Sequence, residues 1–168
     1  MRHLSIEQLK ALLAAIPSER NRLMILVAAS HGLRVSEVTN LTGKDIQDGF
    51  VSVKRLKGSY HTIQPYVAHA DPMLDESRPL AELSRTVKDD ERLFPMTRSG
   101  VLKLMQRAGA KAGIPEHLLF PHVLKHTCGK AVIGQGIEFA RQYLGHKSHS
   151  VHGGIRSRIR RGSKPGFR

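Results

Sequence analysis

Tryptophan is absent from this chain of 168 residues, aromatic side chains make up only 5% of it, and Cys128 is its single cysteine. One cysteine excludes an intrachain disulfide and fits a reducing compartment. Long apolar runs are missing as well. The longest, "LMILVAA" from Leu23 to Ala29, is far too short to span a bilayer, so no membrane partner is expected. The opening "MRHLSIEQLK" turns into a polar helix instead of an apolar signal core, and a cytoplasmic location is the expectation. There is no glycine-rich phosphate loop, so nucleoside triphosphate hydrolysis is not indicated and no nucleotide cofactor is expected.

Acidic residues are scarce too: 14 Asp and Glu stand against 27 Lys and Arg, a net charge of +13. Such an excess points to a polyanionic partner, because each phosphate neutralised by Lys or Arg releases condensed counterions. Seven of these positive charges, with no negative one, fall from Lys147 onward, so about half of the excess belongs to the last 22 positions. Over the whole chain, 40% hydrophobic and 24% charged residues are the composition of a folded domain.

Local signals predict a mostly helical α+β chain. Ser5 followed by Gln8 is a capping-box pattern, and Leu9, Leu12, Leu13 and Ile16 share one face behind it. A second helix is expected from Ser18 to a stop at Gly32, and a short third one over "VSEVTNL". "FVSVKRL" and "YHTIQPYV" read as two strands about a "KGS" turn, a small antiparallel sheet carrying basic residues. Further helices are expected around "LAELSR", from the cap Thr97 to the stop Gly113, from Pro121 through "HVLKHTCGKAVIG", and over "IEFARQYLG". No strand–helix alternation appears, which argues against a doubly wound parallel sheet.

Several chemistries fail on inspection. His122 and His126 are four residues apart, yet the intervening "VLK" lacks the glutamate of a metalloprotease helix. His146, His149 and His152 have ligand-like spacing, but the glycines that follow offer no ordered geometry, so no metal is expected. What remains is a set of separated basic residues: Arg34 just past a helix stop, Lys57 at the hairpin turn, and His122, Lys125 and His146 in the last third. Each alone has a structural reading, Arg34 pairing with Glu37, Lys57 as an ordinary turn residue, and the histidines as solvated or packed. Their combination is what carries weight.

"HGLRVSEVTNLTGKDI", a lysine-bearing hairpin, "HVLKHTCGKAVIGQG" and "ARQYLGHKS" occur in that order and resemble the catalytic domain of the tyrosine recombinases, the phage-integrase family. The resemblance implies a tyrosine recombinase catalytic-domain fold over residues 1–148, double-stranded DNA as partner, a homo-oligomer on DNA, and strand cleavage through a phosphotyrosine without metal or other cofactor. It further implies that Arg34 and Lys125 hold the non-bridging oxygens of the scissile phosphate. Lys57 becomes the general acid for the leaving 5′ oxygen, His122 a proton-transfer partner, and His146 a phosphate donor or a positioner of the nucleophile. Glu37 orients Arg34. Lysine at position 125 departs from the family's commoner arginine and gives up the planar two-donor fork.

The family's nucleophilic tyrosine belongs about nine residues after the histidine of "LGH", at the position of Ile155, and isoleucine cannot attack phosphorus. Tyr60, Tyr66 and Tyr143 precede that point and read as packing or groove-lining side chains. If "HSVHGGIR" is encoded CAT AGC GTC CAC GGG GGC ATA CGN, loss of the first base turns it into "IASTGAY". The chain would then read "LGHKSIASTGAY", with tyrosine at position 155. Residues 149–168 are therefore expected to be a basic tail, disordered or frameshifted, the chain inactive as written, and the amino-terminal core-site-binding domain of the family absent. Two rival readings are a DNA-binding module without catalysis and a type IB topoisomerase-like enzyme.

Overall fold

A computed structural model describes residues 2–55, 60–133 and Tyr143 of the chain. Helix α1 runs Ile6–Ala14, and its start is the capping box anticipated at Ser5: the Ser5 hydroxyl accepts from the Gln8 amide while Gln8 Oε1 accepts from the Ser5 amide. Helix α2, Glu19–His31, begins at the Ser18 cap and ends where Gly32 takes a φ of 64°. Only glycine enters that left-handed conformation without a Cβ penalty. The stop turns the chain at once, so that buried Leu33 anchors it and Arg34 becomes the cap residue of α3, Val35–Thr39.

Strands β1 (Phe50–Val53) and β2 (Thr62–Pro65) pair antiparallel, with Val51 opposite Gln64 and Val53 opposite Thr62. Both are shorter than the runs that predicted them. Their inward faces also differ from a simple hydrophobic reading: β1 buries Val51 and Val53, whereas β2 buries Thr62 and Gln64 and leaves Ile63 only half-covered. Polar groups on the inner face of a two-stranded sheet must find partners inside, and these do.

Helix α4 (Ser77–Thr86) packs beside the 3-10 segment Gly43–Gly49 that leads into β1. Helix α5 (Arg98–Lys111) starts at the Thr97 hydroxyl cap, and the chain leaves it through Gly113, φ 72°. Helix α6 (His122–Ile133) follows Pro121 and lies against α2. A continuous core of leucine, isoleucine, valine and methionine joins α1, α2, α5 and α6, with Leu12, Leu13, Met24, Met105 and Leu124 at 2% exposure or less. The amino-terminal segment is tied to α6 by the Leu4 amide donating to Thr127 Oγ1 at 3.0 Å. The expected helix over "IEFARQYLG" lies outside the described residues except for Tyr143.

Close backbone approach fixes one glycine without any demand on φ. A Cβ on Gly43 would stand 2.2 Å from the Lys88 carbonyl oxygen and 2.8 Å from its carbon. Main chain cannot move aside as a side chain can, so Gly43→Ala is expected to cost about 1–3 kcal/mol, the scale of overpacking a filled interior. A thermal-melt comparison checks it, and an unchanged midpoint would contradict it.

Candidate active site

Glu37 organises the first corner. It is buried in α3, where its Oε1 accepts the Arg34 backbone N–H at 2.8 Å and its Oε2 lies 3.7 Å from the Arg34 guanidinium. The Arg34 side chain, 36% exposed, is held at the surface by a partner with no exposure at all. A fork presented this way is suited to an external oxyanion. The contact itself is the Arg34–Glu37 pairing that the sequence spacing offered.

Arg55 was not anticipated. It sits two residues beyond β1 with its side chain fully buried, donating from Nε to Thr62 Oγ1 at 3.0 Å, from Nη1 to the Gly32 carbonyl at 2.9 Å, and from Nη2 to the His31 carbonyl at 2.9 Å. Its Nη1 lies 3.6 Å from Glu37 Oε1. Burial pulls the Arg55 pKa down, and the Glu37 carboxylate opposes that pull. The signal that could have revealed it is strand parity: continuing the inward positions Val51 and Val53 by two leads to residue 55.

Lys125 completes the cluster from α6. Its Nζ is shielded from solvent and has no hydrogen-bond partner among the described residues. Burial, then repulsion from Arg34 and Arg55, bring its pKa down to about 8, while Glu37 acts in the opposite direction. Three cations from three separate segments thus share one carboxylate among the charges that act on Lys125. A buried ammonium without an acceptor is costly unless an anion arrives to satisfy it. His122, three residues earlier, is exposed at the start of α6, stacked 6.1 Å from the Phe120 ring and edge-on to His126 at 5.5 Å. Lys57, His146 and Ile155 lie outside the described residues.

Burial works against three other nucleophile candidates, Cys128, Tyr143 and Tyr66. Burial raises Cys128 to about 12, so it stays a thiol. Burial likewise raises Tyr143, whose hydroxyl donates to the Ser30 carbonyl at 3.1 Å, and Tyr66, whose hydroxyl donates to the Ile46 carbonyl. Along α3 and its cap, from Val35 to Asn40, runs a cleft also lined by Arg92, Thr97 and Arg98, a second cationic stretch with no carboxylate in its lining.

A helical scaffold around one hairpin, with cationic side chains converging from the α2–α3 turn, the hairpin and α6, is the catalytic-domain fold of the tyrosine recombinases. The chain belongs to the phage integrase family, which matches residues 2–152. It is 35% identical over 162 residues to the tyrosine recombinase XerA of Pyrococcus furiosus, covering 88% of this chain and 54% of that protein. The crystal structure of XerA recombinase superposes with a TM-score of 0.66 at 26% identity, over 95% of this chain and 62% of the other. A lambda integrase tetramer bound to a Holliday junction has a TM-score of 0.68 at 22% identity, over 90% of this chain and 49% of its own. The chain therefore spans about half the length of the XerA relative. Among the described residues no helix is long and apolar enough to cross a membrane.

Proposed function

We propose that residues 1–148 form the catalytic domain of a site-specific DNA recombinase and that the Arg34–Lys125 corner holds one phosphate of double-stranded DNA. The observation that carries this reading is the Lys125 ammonium, shielded and without an acceptor among the described residues, beside a guanidinium that Glu37 holds at the surface. A phosphodiester placed there supplies the missing acceptor and cancels the repulsion among the cations. In the reaction, a tyrosine hydroxyl attacks phosphorus, the phosphotyrosyl bond forms, and the P–O bond to the 5′ oxygen breaks. Lys57 delivers the proton to that leaving oxygen, and His122 and His146 assist proton transfer and phosphate binding. No metal or nucleotide enters these steps. The cleft through Arg92 and Arg98 extends the positive surface along which the DNA backbone runs.

As written, the chain lacks the tyrosine for the first step, and the tail 149–168 is read as the product of a one-base shift. The expected result is no covalent protein–DNA adduct from this chain on a nicked duplex. Adduct is expected from the protein rebuilt as "LGHKSIASTGAY". Sequencing the gene across codons 140 to 168 tests the shift itself: a neighbouring frame that continues "LGHKS" into a tyrosine supports it. The second reading, a DNA-binding module without catalysis, is favoured by the seven basic residues from Lys147 onward. It prevails if the rebuilt protein also yields no adduct while this chain binds duplex DNA. Adduct from the chain as written would overturn the inactive reading.

A further inference from the structure

His126 stands beside His122 on α6, yet the proposed reaction uses only His122. The stretch "HVLKH" lacks the glutamate of a metalloprotease helix, but that glutamate is the base of such a site and not one of its ligands. The two histidines lie one helical turn apart and share a face of α6. Their ring centroids are 5.5 Å apart. Two imidazoles that bind one zinc ion at about 2.1 Å with a tetrahedral angle between them have centroids about 5.3 Å apart. The pair therefore already has the spacing of a chelate.

His126 is prepared as a ligand by a backbone carbonyl far from it in sequence. Its Nδ1 is 3.1 Å from the Arg2 carbonyl oxygen. A carbonyl only accepts, so Nδ1 carries the proton of this bond, and Nε2 of the neutral ring is left with its lone pair. A metal-ligating histidine commonly has this arrangement, its second nitrogen donating to a backbone carbonyl that fixes tautomer and ring orientation. His122 is exposed, and its ring nitrogens have no hydrogen-bond partner among the described residues. Its ring stacks on Phe120 with centroids 6.1 Å apart. A half-turn about χ2 preserves that stack and chooses which nitrogen faces His126.

The geometry points to a two-histidine site for a divalent transition ion of the zinc class, held by Nε2 of His126 and a ring nitrogen of His122, with water in the remaining positions. Imidazole suits such ions better than it suits magnesium or calcium. Among the described residues no third His, Cys, Asp or Glu closes the site, so the ion stays exchangeable. The consequence for catalysis rests on the reading of His122 as a proton-transfer partner. An ion on that ring occupies the lone pair that would carry the proton, so it inhibits strand cleavage without entering its chemistry. The site itself does not depend on that reading.

The test titrates Zn2+ into the whole chain labelled with 15N in its histidine rings, with His122→Asn and His126→Asn assigning the two signals sets. Ring nitrogens of His122 and His126 are expected to shift together, at one Zn2+ concentration. Each substitution should weaken the response of the remaining histidine at least about tenfold, since even groups that only orient a ligand carry that much. Rings that respond at separate concentrations, or whose response survives loss of the other, overturn the site. A response confined to the other histidines of the chain overturns it as well. Should His126→Asn unfold, the exposed His122→Asn decides alone. In the protein rebuilt as "LGHKSIASTGAY", Zn2+ that saturates the pair is expected to slow adduct formation about a hundredfold, the low end of what general acid–base transfer contributes, and a chelator to restore it. Adduct formation indifferent to Zn2+ overturns the inhibition. If the rebuilt protein yields no adduct even without the ion, the recombinase reading falls and the inhibition with it, while the ring signals still decide the site.

Discussion

Arg55→Met is expected to lower the unfolding free energy by about 3–5 kcal/mol, the largest loss from any single substitution at the site. The variant fills similar volume yet removes donors to Thr62 and to the carbonyls of Gly32 and His31, and takes away a cation 3.6 Å from buried Glu37. Arg34 remains near that carboxylate but is partly exposed, so it cannot replace the lost partner inside. Each orphaned acceptor carries its own desolvation cost. Urea titration measures the effect through a lower midpoint at constant slope. A midpoint within experimental scatter of the parent chain would show that Arg55 does not hold these segments together.

Lys125→Met is expected to act in opposite directions on stability and on binding. In the free protein the Lys125 pKa stands at about 8 against 10.5 for an ordinary lysine. A lysine whose folded pKa is depressed opposes folding most below pH 8, where it is charged in both states. Between about 8 and 10.5 the unfolded chain holds a proton that the folded one has released, so stability rises with pH through that window and the penalty is gone above it. Although the Nζ atom itself is shielded, the Lys125 side chain as a whole is only half-buried, so solvent screening reduces this penalty to about 1–2 kcal/mol. The methionine variant should therefore be more stable by that amount at pH 7 and lose the rise. Its affinity for duplex DNA should fall at least tenfold, the worth of one charge-assisted contact.

Elements whose causes are local were legible in the sequence. The caps at Ser5, Ser18 and Thr97 and the left-handed glycines 32 and 113 are matters of a few adjacent residues, and the structure has each of them in place. The small antiparallel sheet was legible too, because a turn between two β-prone runs leaves few alternatives. Its inner face was not. Thr62 and Gln64 point inward because Arg55, His31 and Tyr143 wait there, and those contacts span up to 79 positions of sequence. Arg55 was overlooked for the same reason: a basic residue on a hairpin reads as solvated until strand parity turns it inward. Arg34 with Glu37 was readable because three residues separate them on one helical turn. That Lys125 buries its ammonium depends on how α6 docks against α2, which no local pattern states.

On the proposed reading, in which Lys125 takes the place of the family's commoner arginine, the exchange has a physical consequence. An arginine there would stay charged at any working pH and grip phosphate through a fork. Lysine makes the same corner titratable near pH 8, where the proposed phosphate would restore its proton and bulk alkalinity removes it. Above pH 8, binding must then take up a proton, and the logarithm of affinity should decline by up to about one unit per pH unit. Ordinary surface lysines titrate two units higher and leave this window flat.

Duplex affinity of the intact chain and of Lys125→Met, measured between pH 7 and 9.5 at one salt concentration, tests the phosphate site most directly. The parent chain is expected to weaken progressively above pH 8, and the variant to be weaker at pH 7 with no such decline. Parallel curves for the two proteins would contradict a DNA phosphate between Arg34 and Lys125.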